Sequence, residues 1–256
     1  MTPQHSQSSR SLPTRSIVIT AMLLTLAVTA YFGLSAKADP SIDRLVDFRG
    51  YHYGAVPDEF EYDATGAHGP ILSAGRPFWR VYVDRFAPSP EYVIIQGAAL
   101  AELDHYPLAL LRDVELENVT LSVHLKPMGG TLDKSQGLIW RAQDKHNYYA
   151  VLANALDGKL HLLKMVDGRA QEIAAAPIQM EVQFEQESPG PTWGWYTLKV
   201  DVYESHITVW FDNERLIETT DDIFPMFISA GRVGLITHAD SIALFDDFHI
   251  ETENNR

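Results

Sequence analysis

Two adjacent carboxylates, Asp246 and Asp247, interrupt an otherwise apolar stretch, IALFDDFHI (242–250). Side chains alternate between the two sides of a β-strand. Ile242, Leu244, Asp246, Phe248 and Ile250 therefore share one face, and Ala243, Phe245, Asp247 and His249 the other. If the first face is the core face, Asp246 is a buried carboxylate and must be tied by hydrogen bonds, a cation or a metal. Arg141 is the expected partner, with Arg80 as a second choice. A structural Ca²⁺ held by Asp246 and Asp247 is the alternative tie and needs about five or six further oxygens. A catalytic pair ranks third, because neighbouring strand residues point to opposite faces and cannot grip one substrate atom.

Two other stretches carry chemistry. In RDVELENVT (112–120), Asp113, Glu115 and Glu117 line one strand face. Paired carboxylates hydrolyse glycosides when about 5–5.5 Å or about 6.5–9.5 Å apart. Strand residues four apart have Cα atoms about 13 Å apart, so a bulge near Asn118 or a solvent-facing strand start accounts for them as well. In WRAQDKHNYY (140–149), Arg141, Asp144, Asn147, Tyr148 and Tyr149 gather a guanidinium, amide groups and aromatic rings, the parts with which proteins grip sugars. Trp193, in the loop ESPGPTWGWY (187–196), joins them as a ligand-facing ring. The alternative is a hairpin turn at Lys145-His146, with the tyrosines packed inside and Arg141 paired to Asp246. Trp140 and Trp195 are expected in the core. No G-x-S-x-G, phosphate-binding loop, G-x-G-x-x-G or H-E-x-x-H motif occurs.

The elements that position these residues are strands. VTLSVHL (119–125), LKVDVY (198–203) and HITVWFD (206–212) alternate apolar and polar residues. Turn signals recur at Met128-Gly129-Gly130, Asp157-Gly158, Asp167-Gly168 and Asp212-Asn213. KLHLLKMV (159–166) lies between two of them as one strand of a meander. Short strands at regular spacing without intervening helices predict an all-β fold of antiparallel strands, a sandwich or a jelly roll. The stretch 39–78 is rich in Gly, Pro and single aromatics and reads as an irregular lead-in; the sandwich spans 79–252.

The first 38 residues differ from the rest. They hold Arg10, Arg15 and Lys37 and no acid, and they include the apolar run IVITAMLLTLAVTAYFGL (17–34) followed by SAKADP. This is the pattern of a signal or anchor helix, with Ala36 and Ala38 suited to cleavage after Ala38. The run is also long enough to span a bilayer uncleaved. Either way the remainder is exported: periplasmic, secreted or held at the inner membrane, with membrane contact only through this segment. The whole chain of 256 residues has a formal net charge of −14 and no cysteine. From Asp39 onward 17 basic residues stand against 34 acidic ones, which excludes nucleic acid as a partner, because phosphate neutralisation needs Lys and Arg. Without disulfides the fold must rest on packing and on any ions it binds, although no cofactor is required.

GLIWRAQDKHNYYAVLANALDGKLHLLKMVDGR (137–169), WYTLKV (195–200), WFDNERLIETTDD (210–222) and AGRVGLITHADSIALFDDF (230–248) succeed one another in an order that resembles bacterial exported proteins with a laminin-G-like, concanavalin A-like jelly roll. These are relatives of 3-keto-disaccharide hydrolase and family 16 glycoside hydrolase-like domains. The resemblance spans about residues 76–250 and departs from the pattern at Ile236 and His238. It implies the jelly-roll fold and, in many such domains, a structural calcium. The function expected is binding of a carbohydrate or another cell-envelope component. Glycoside hydrolysis of a sugar or 3-keto-sugar is the alternative, and a structural or assembly role is the third. Expressed with its leader in a Gram-negative host, the protein is expected outside the cytoplasm with Asp39 as its first residue. N-terminal sequencing checks this, and an intact Met1 on membrane-bound protein selects the anchor instead.

Overall fold

The computed structural model describes residues 40–66, 72–73, 76–89, 91–97, 102–180, 194–221 and 230–252. The expected leader and Trp193 lie outside the described residues, which contain no helix. In chain order the strands are β1 (Asp43–Val46), β2 (Phe60–Thr65), β3 (Leu72–Ser73), β4 (Arg76–Pro77), β5 (Trp79–Asp84) and β6 (Glu91–Gln96). Longer strands come next: β7 (Tyr106–Leu116), β8 (Val119–Gly129), β9 (Ser135–Asp144), β10 (Asn147–Asn154), β11 (Lys159–Val166) and β12 (Arg169–Pro177). The last are β13 (Tyr196–Tyr203), β14 (His206–Phe211), β15 (Glu214–Thr220), β16 (Gly231–Thr237) and β17 (Ile242–Glu251).

Sheet A has the order β15-β14-β13-β8-β17-β6-β5, with β1 also paired to β17; sheet B has the order β12-β11-β10-β9-β16-β7-β2. All pairings are antiparallel. The chain leaves sheet B for sheet A between β7 and β8 and again between β16 and β17, so the strands joined at these two points lie in opposite layers. The result is a concanavalin A-like jelly-roll sandwich. The stretch 39–78 is not an irregular lead-in: β1 extends sheet A and β2 closes one edge of sheet B.

The alternating strands meet as period two requires. Val119, Leu121, Val123 and Leu125 of β8, with Leu198, Val200, Val209 and Phe211 of β13 and β14, pack against Leu138, Trp140, Tyr149, Val151 and Leu235 of sheet B. Sheet B is apolar on its other face too, where Leu108, Leu110, Ile139, Ala150, Leu152 and Ile236 are buried. Burial on both faces explains why β7, β9 and β10 read as continuous apolar runs rather than as alternating strands.

One irregularity crosses the middle of sheet B. Asp113 in β7 (φ 59°) and Arg141 in β9 (φ 49°) have left-handed backbones, and the strand between them, β16, shifts register between Arg232 and Gly234 on both sides. Gly231 and Gly234 are required here, because a Cβ on Gly234 would lie 2.0 Å from the Ala109 carbonyl oxygen and one on Gly231 2.5 Å from the Arg141 carbonyl carbon. The bulge turns the buried Arg141 toward the turns of sheet A. Its Nε donates to the Glu117 carbonyl at 2.8 Å and its Nη2 to the Glu204 carbonyl at 2.6 Å. Hydrogen bonds from a charged donor are worth about 1.5–3 kcal/mol each. Arg141→Met is therefore expected to lower stability by about 3 kcal/mol in urea unfolding, and Asp246→Ala is not expected to strand this guanidinium.

Candidate functional site

Most residues singled out in WRAQDKHNYY serve the fold. Arg141 ties the two sheets and does not pair with Asp246. Asp144 accepts bonds from the His146 N–H (2.6 Å) and the Asn147 amide (3.1 Å), and Asn147 accepts the Asp167 N–H, so both residues brace hairpin turns. Tyr148 is buried, with its hydroxyl 2.8 Å from Thr65 Oγ1. Tyr149 faces the core, stacks on Trp140 at 5.9 Å and donates to Asp221 at 2.8 Å. Lys164 pairs with the same Asp221 at 2.8 Å, which ties the end of β15 to sheet B. The sugar-gripping parts are thus present but occupied: the loop is a hairpin turn with both tyrosines buried, as the alternative expected, but without its Arg141–Asp246 pair. In β7, Asp113 and Glu115 are exposed at the bulge while Val114 and Leu116 point inward. Glu117 lies at the β7–β8 turn, so no convergent carboxylate pair forms there.

The FDDF carboxylates occupy the outer side of sheet A. Asp247 is left-handed (φ 48°), and the β17–β8 register shifts between Asp246 and His249. Phe245 and Phe248 therefore both enter the core, while Asp246 follows Leu244 to the outer face. The expected grouping of Asp246 with Phe248 fails because the bulge inserts one residue between them. Asp246 is fully buried, but its partners are neutral: the Ser89 N–H at 2.9 Å, Ser89 Oγ at 3.0 Å and the Asp247 N–H at 2.9 Å. Burial pushes its pKa up to about 6, with Asp247 adding to the rise and the Ser89 bonds opposing it. Asp247 lies 3.4 Å from His124 Nδ1. The Asp246 oxygens accept N–H and O–H donors, whereas a calcium shell is built of oxygens alone. Among the described residues no group of three or more His, Asp or Glu side chains forms a metal site.

Beside Asp246, residues after β5 close over part of the outer face. Val93, Leu244 and Trp195 cluster there with Ala87 and Met128 packed on them. Lys126 pairs with Asp84 at 2.8 Å, and Trp195 Nε1 donates to the same carboxylate at 3.2 Å. Trp195 is buried as expected, though outside the main core.

A Ser-His-Asp grouping sits at one end of the sandwich and is also structural. His238 bonds Asp133 through Nδ1 (3.0 Å) and the Leu103 carbonyl through Nε2 (2.7 Å), and stacks on Tyr106 at 4.3 Å. Ser241 donates to the His238 carbonyl, so no imidazole nitrogen is left to activate it. Asp240 beside it accepts the N–H groups of Thr131, Leu132 and Asp133 and the Thr131 hydroxyl. Burial alone would raise its pKa, but these donors hold it down at about 2.

The open part of sheet A's outer face is different. Thr120, Ser122 and His124 of β8, Thr197, Lys199 and Asp201 of β13, and Thr208 and Trp210 of β14 stand side by side, opposite the apolar positions of the same strands. Ser122, Thr197, Lys199, Trp210 and Asn213 line a cavity of about 380 Å³. The Lys199 ammonium lies 5.2 Å from the centre of the Trp210 ring. Asn213, left-handed at φ 66°, ends the β14–β15 turn, which Asp212 fastens by accepting the Thr197 N–H at 2.8 Å. An indole, an ammonium, two hydroxyls and an amide around an open cavity can bind a polar ring by stacking and hydrogen bonding. Trp210 was legible in HITVWFD, where it alternates with Thr208 and His206 on the polar side of the strand.

No protein-family model and no curated protein matches the sequence. Among solved structures, the carbohydrate-binding module CBM66 from Bacillus subtilis is 19% identical, with 58% of this chain and 81% of that one covered and a TM-score of 0.48. A non-specific endo-β-1,3(4)-glucanase of family GH16 is 12% identical, with 86% and 95% covered and a TM-score of 0.49. A Bacillus subtilis protein with a galectin-like fold is 12% identical, with 68% and 88% covered and a TM-score of 0.46. These likenesses concern the fold.

The burial of Asp246 has a consequence for pH. Its folded pKa lies above the ordinary carboxylate value of about 3.9, so its contribution to stability is complete below that value and is lost as pH rises through about 6. Between these limits the wild type is expected to lose up to about 3 kcal/mol that Asp246→Asn does not lose. Urea unfolding of both proteins across this window measures the difference.

Proposed function

We propose that this protein binds a carbohydrate on the open part of sheet A's outer face. Trp210 provides the surface for the apolar side of a sugar ring, and Ser122, Thr197, Lys199 and Asn213 provide hydrogen bonds to its hydroxyls. The observation that carries the reading is a half-buried indole on the polar side of a sheet, beside an open cavity. The cavity volume falls within the range of small-ligand sites, about 300–1,000 Å³. Binding is favoured over glycoside hydrolysis because, among the described residues, none that lines the cavity is a carboxylate, and hydrolysis by this chemistry needs two.

The reading also has the chain exported, on the strength of the leader pattern in residues 1–38, so that an envelope or extracellular glycan is the natural ligand. Trp210→Ala tests the site. On a glycan array the full-length wild type is expected to retain a defined set of sugars, and Trp210→Ala to bind them at least tenfold more weakly, the scale of about 1–1.5 kcal/mol expected for a lost aromatic contact. The melting curve of the variant should stay close to that of the wild type, because the ring lies outside the core. A variant that binds sugars as well as the wild type overturns the assignment of this face.

A further inference from the structure

We infer that the sugar bound on this face is acidic, a uronic acid whose carboxylate pairs with Lys199. This rests on the reading of the face as a sugar site and adds the class of ligand. Of the five other lysines among the described residues, three pair with carboxylates, while Lys134 and Lys159 show no ion pair. Lys126 pairs with Asp84 at 2.8 Å, Lys145 with Asp63 at 3.4 Å and Lys164 with Asp221 at 2.8 Å. The chain has 34 acidic residues against 20 basic ones, so partners are not scarce. Lys199 nevertheless pairs with no carboxylate among the described residues and holds its ammonium over the Trp210 ring instead. The nearest acid on its own face of β13, Asp201, already accepts the Thr120 hydroxyl at 2.7 Å. Glu218, two strands away, pairs with Arg215 at 2.9 Å.

Among the described residues that line the cavity, Lys199 is also the one charged group; the others, Ser122, Thr197, Trp210 and Asn213, are neutral. A neutral sugar would use the ammonium only as a hydrogen-bond donor to its hydroxyls, and a cationic one would be repelled by it. A pyranose laid against the indole can direct a C5 carboxylate to the ammonium while its hydroxyls meet the neutral donors. The acidic character of the whole protein does not forbid this, because charges more than about 8 Å away are largely screened at physiological ionic strength. The net charge slows the approach of an acidic glycan, and the local ammonium sets which ring is held.

The test uses the full-length protein with oligosaccharides of galacturonate, glucuronate, mannuronate and guluronate, each beside its methyl ester, which keeps the ring and removes the charge. Neutral gluco-, galacto- and xylo-oligosaccharides complete the panel. At least one acidic sugar is expected to bind about tenfold or more tightly than its ester, as a charge-assisted hydrogen bond predicts. Lys199→Gln should bring that acid down to the level of its ester, and Lys199→Arg should keep the preference. Esters that bind as tightly as their acids, or neutral sugars that bind more tightly than any acid, overturn the inference while leaving the site in place. Binding unaffected by Trp210→Ala, or no binding across the panel, overturns the reading of the face itself.

Discussion

The two layers of the sandwich are held in place by the bulge across sheet B. An antiparallel sheet left in strict register would turn Arg141 to one of its own faces and keep its guanidinium away from the turns of the other layer. The left-handed residues Asp113 and Arg141, with the register shift beside Gly234, re-aim that side chain so that it reaches the carbonyls of Glu117 and Glu204. Those carbonyls lie at the β7–β8 and β13–β14 turns. One cation therefore fixes where the chain changes layers and where the β13–β14 hairpin turns. The open face of β13 and β14 inherits its position from this contact, although Arg141 itself lies between the layers.

The same economy governs the other buried charges. Each is matched by a partner and, in two cases, by an aromatic donor on the same carboxylate: Trp195 with Lys126 on Asp84, and Tyr149 with Lys164 on Asp221. Asp246 is held by Ser89, and Asp240 by a row of backbone N–H groups. In a chain without cysteine these contacts pin loops to strands where a disulfide would otherwise serve. They also explain why residues with the types needed for chemistry are not sites. A carboxylate whose oxygens already accept several protein donors has little left to offer a metal or a substrate.

Legibility depends on how local each signal is. The strands that are polar on one side, β8, β13 and β14, are readable by period two, and so are the turns at Asp157-Gly158 and Asp167-Gly168, where the glycines have positive φ. The bulges are not. Asp113, Arg141 and Asp247 adopt left-handed backbones without being glycine, and nothing in the neighbouring residues announces it. Each bulge reverses the parity of the residues after it, which is why simple alternation puts Asp246 on the wrong face and gives Arg141 the wrong partner. The lead-in misleads for a different reason: β1 and β2 are short edge strands whose partners, β17 and β7, lie far along the chain. Trp210 is in plain view, but a tryptophan in a strand invites a core assignment unless its parity is counted.

That parity also separates ligand binding from simple sheet stabilisation at Trp210. Lys199 and Trp210 are directly opposite each other on neighbouring strands, and a cross-strand pair of this kind stabilises a sheet by about 0.2–1 kcal/mol without any ligand. Such a pair needs only that the lysine stem cover the indole. It does not need a cavity beside the ring, nor Ser122, Thr197 and Asn213 gathered around it from β8, β13 and the β14–β15 turn. The covered part of the same face shows what the fold does where no opening is wanted: residues after β5 close over Leu244 and Asp246, and Trp195 joins the cluster beneath. On β13 and β14 the described residues form no such cover, and the Trp210 indole there is half-buried beside the cavity.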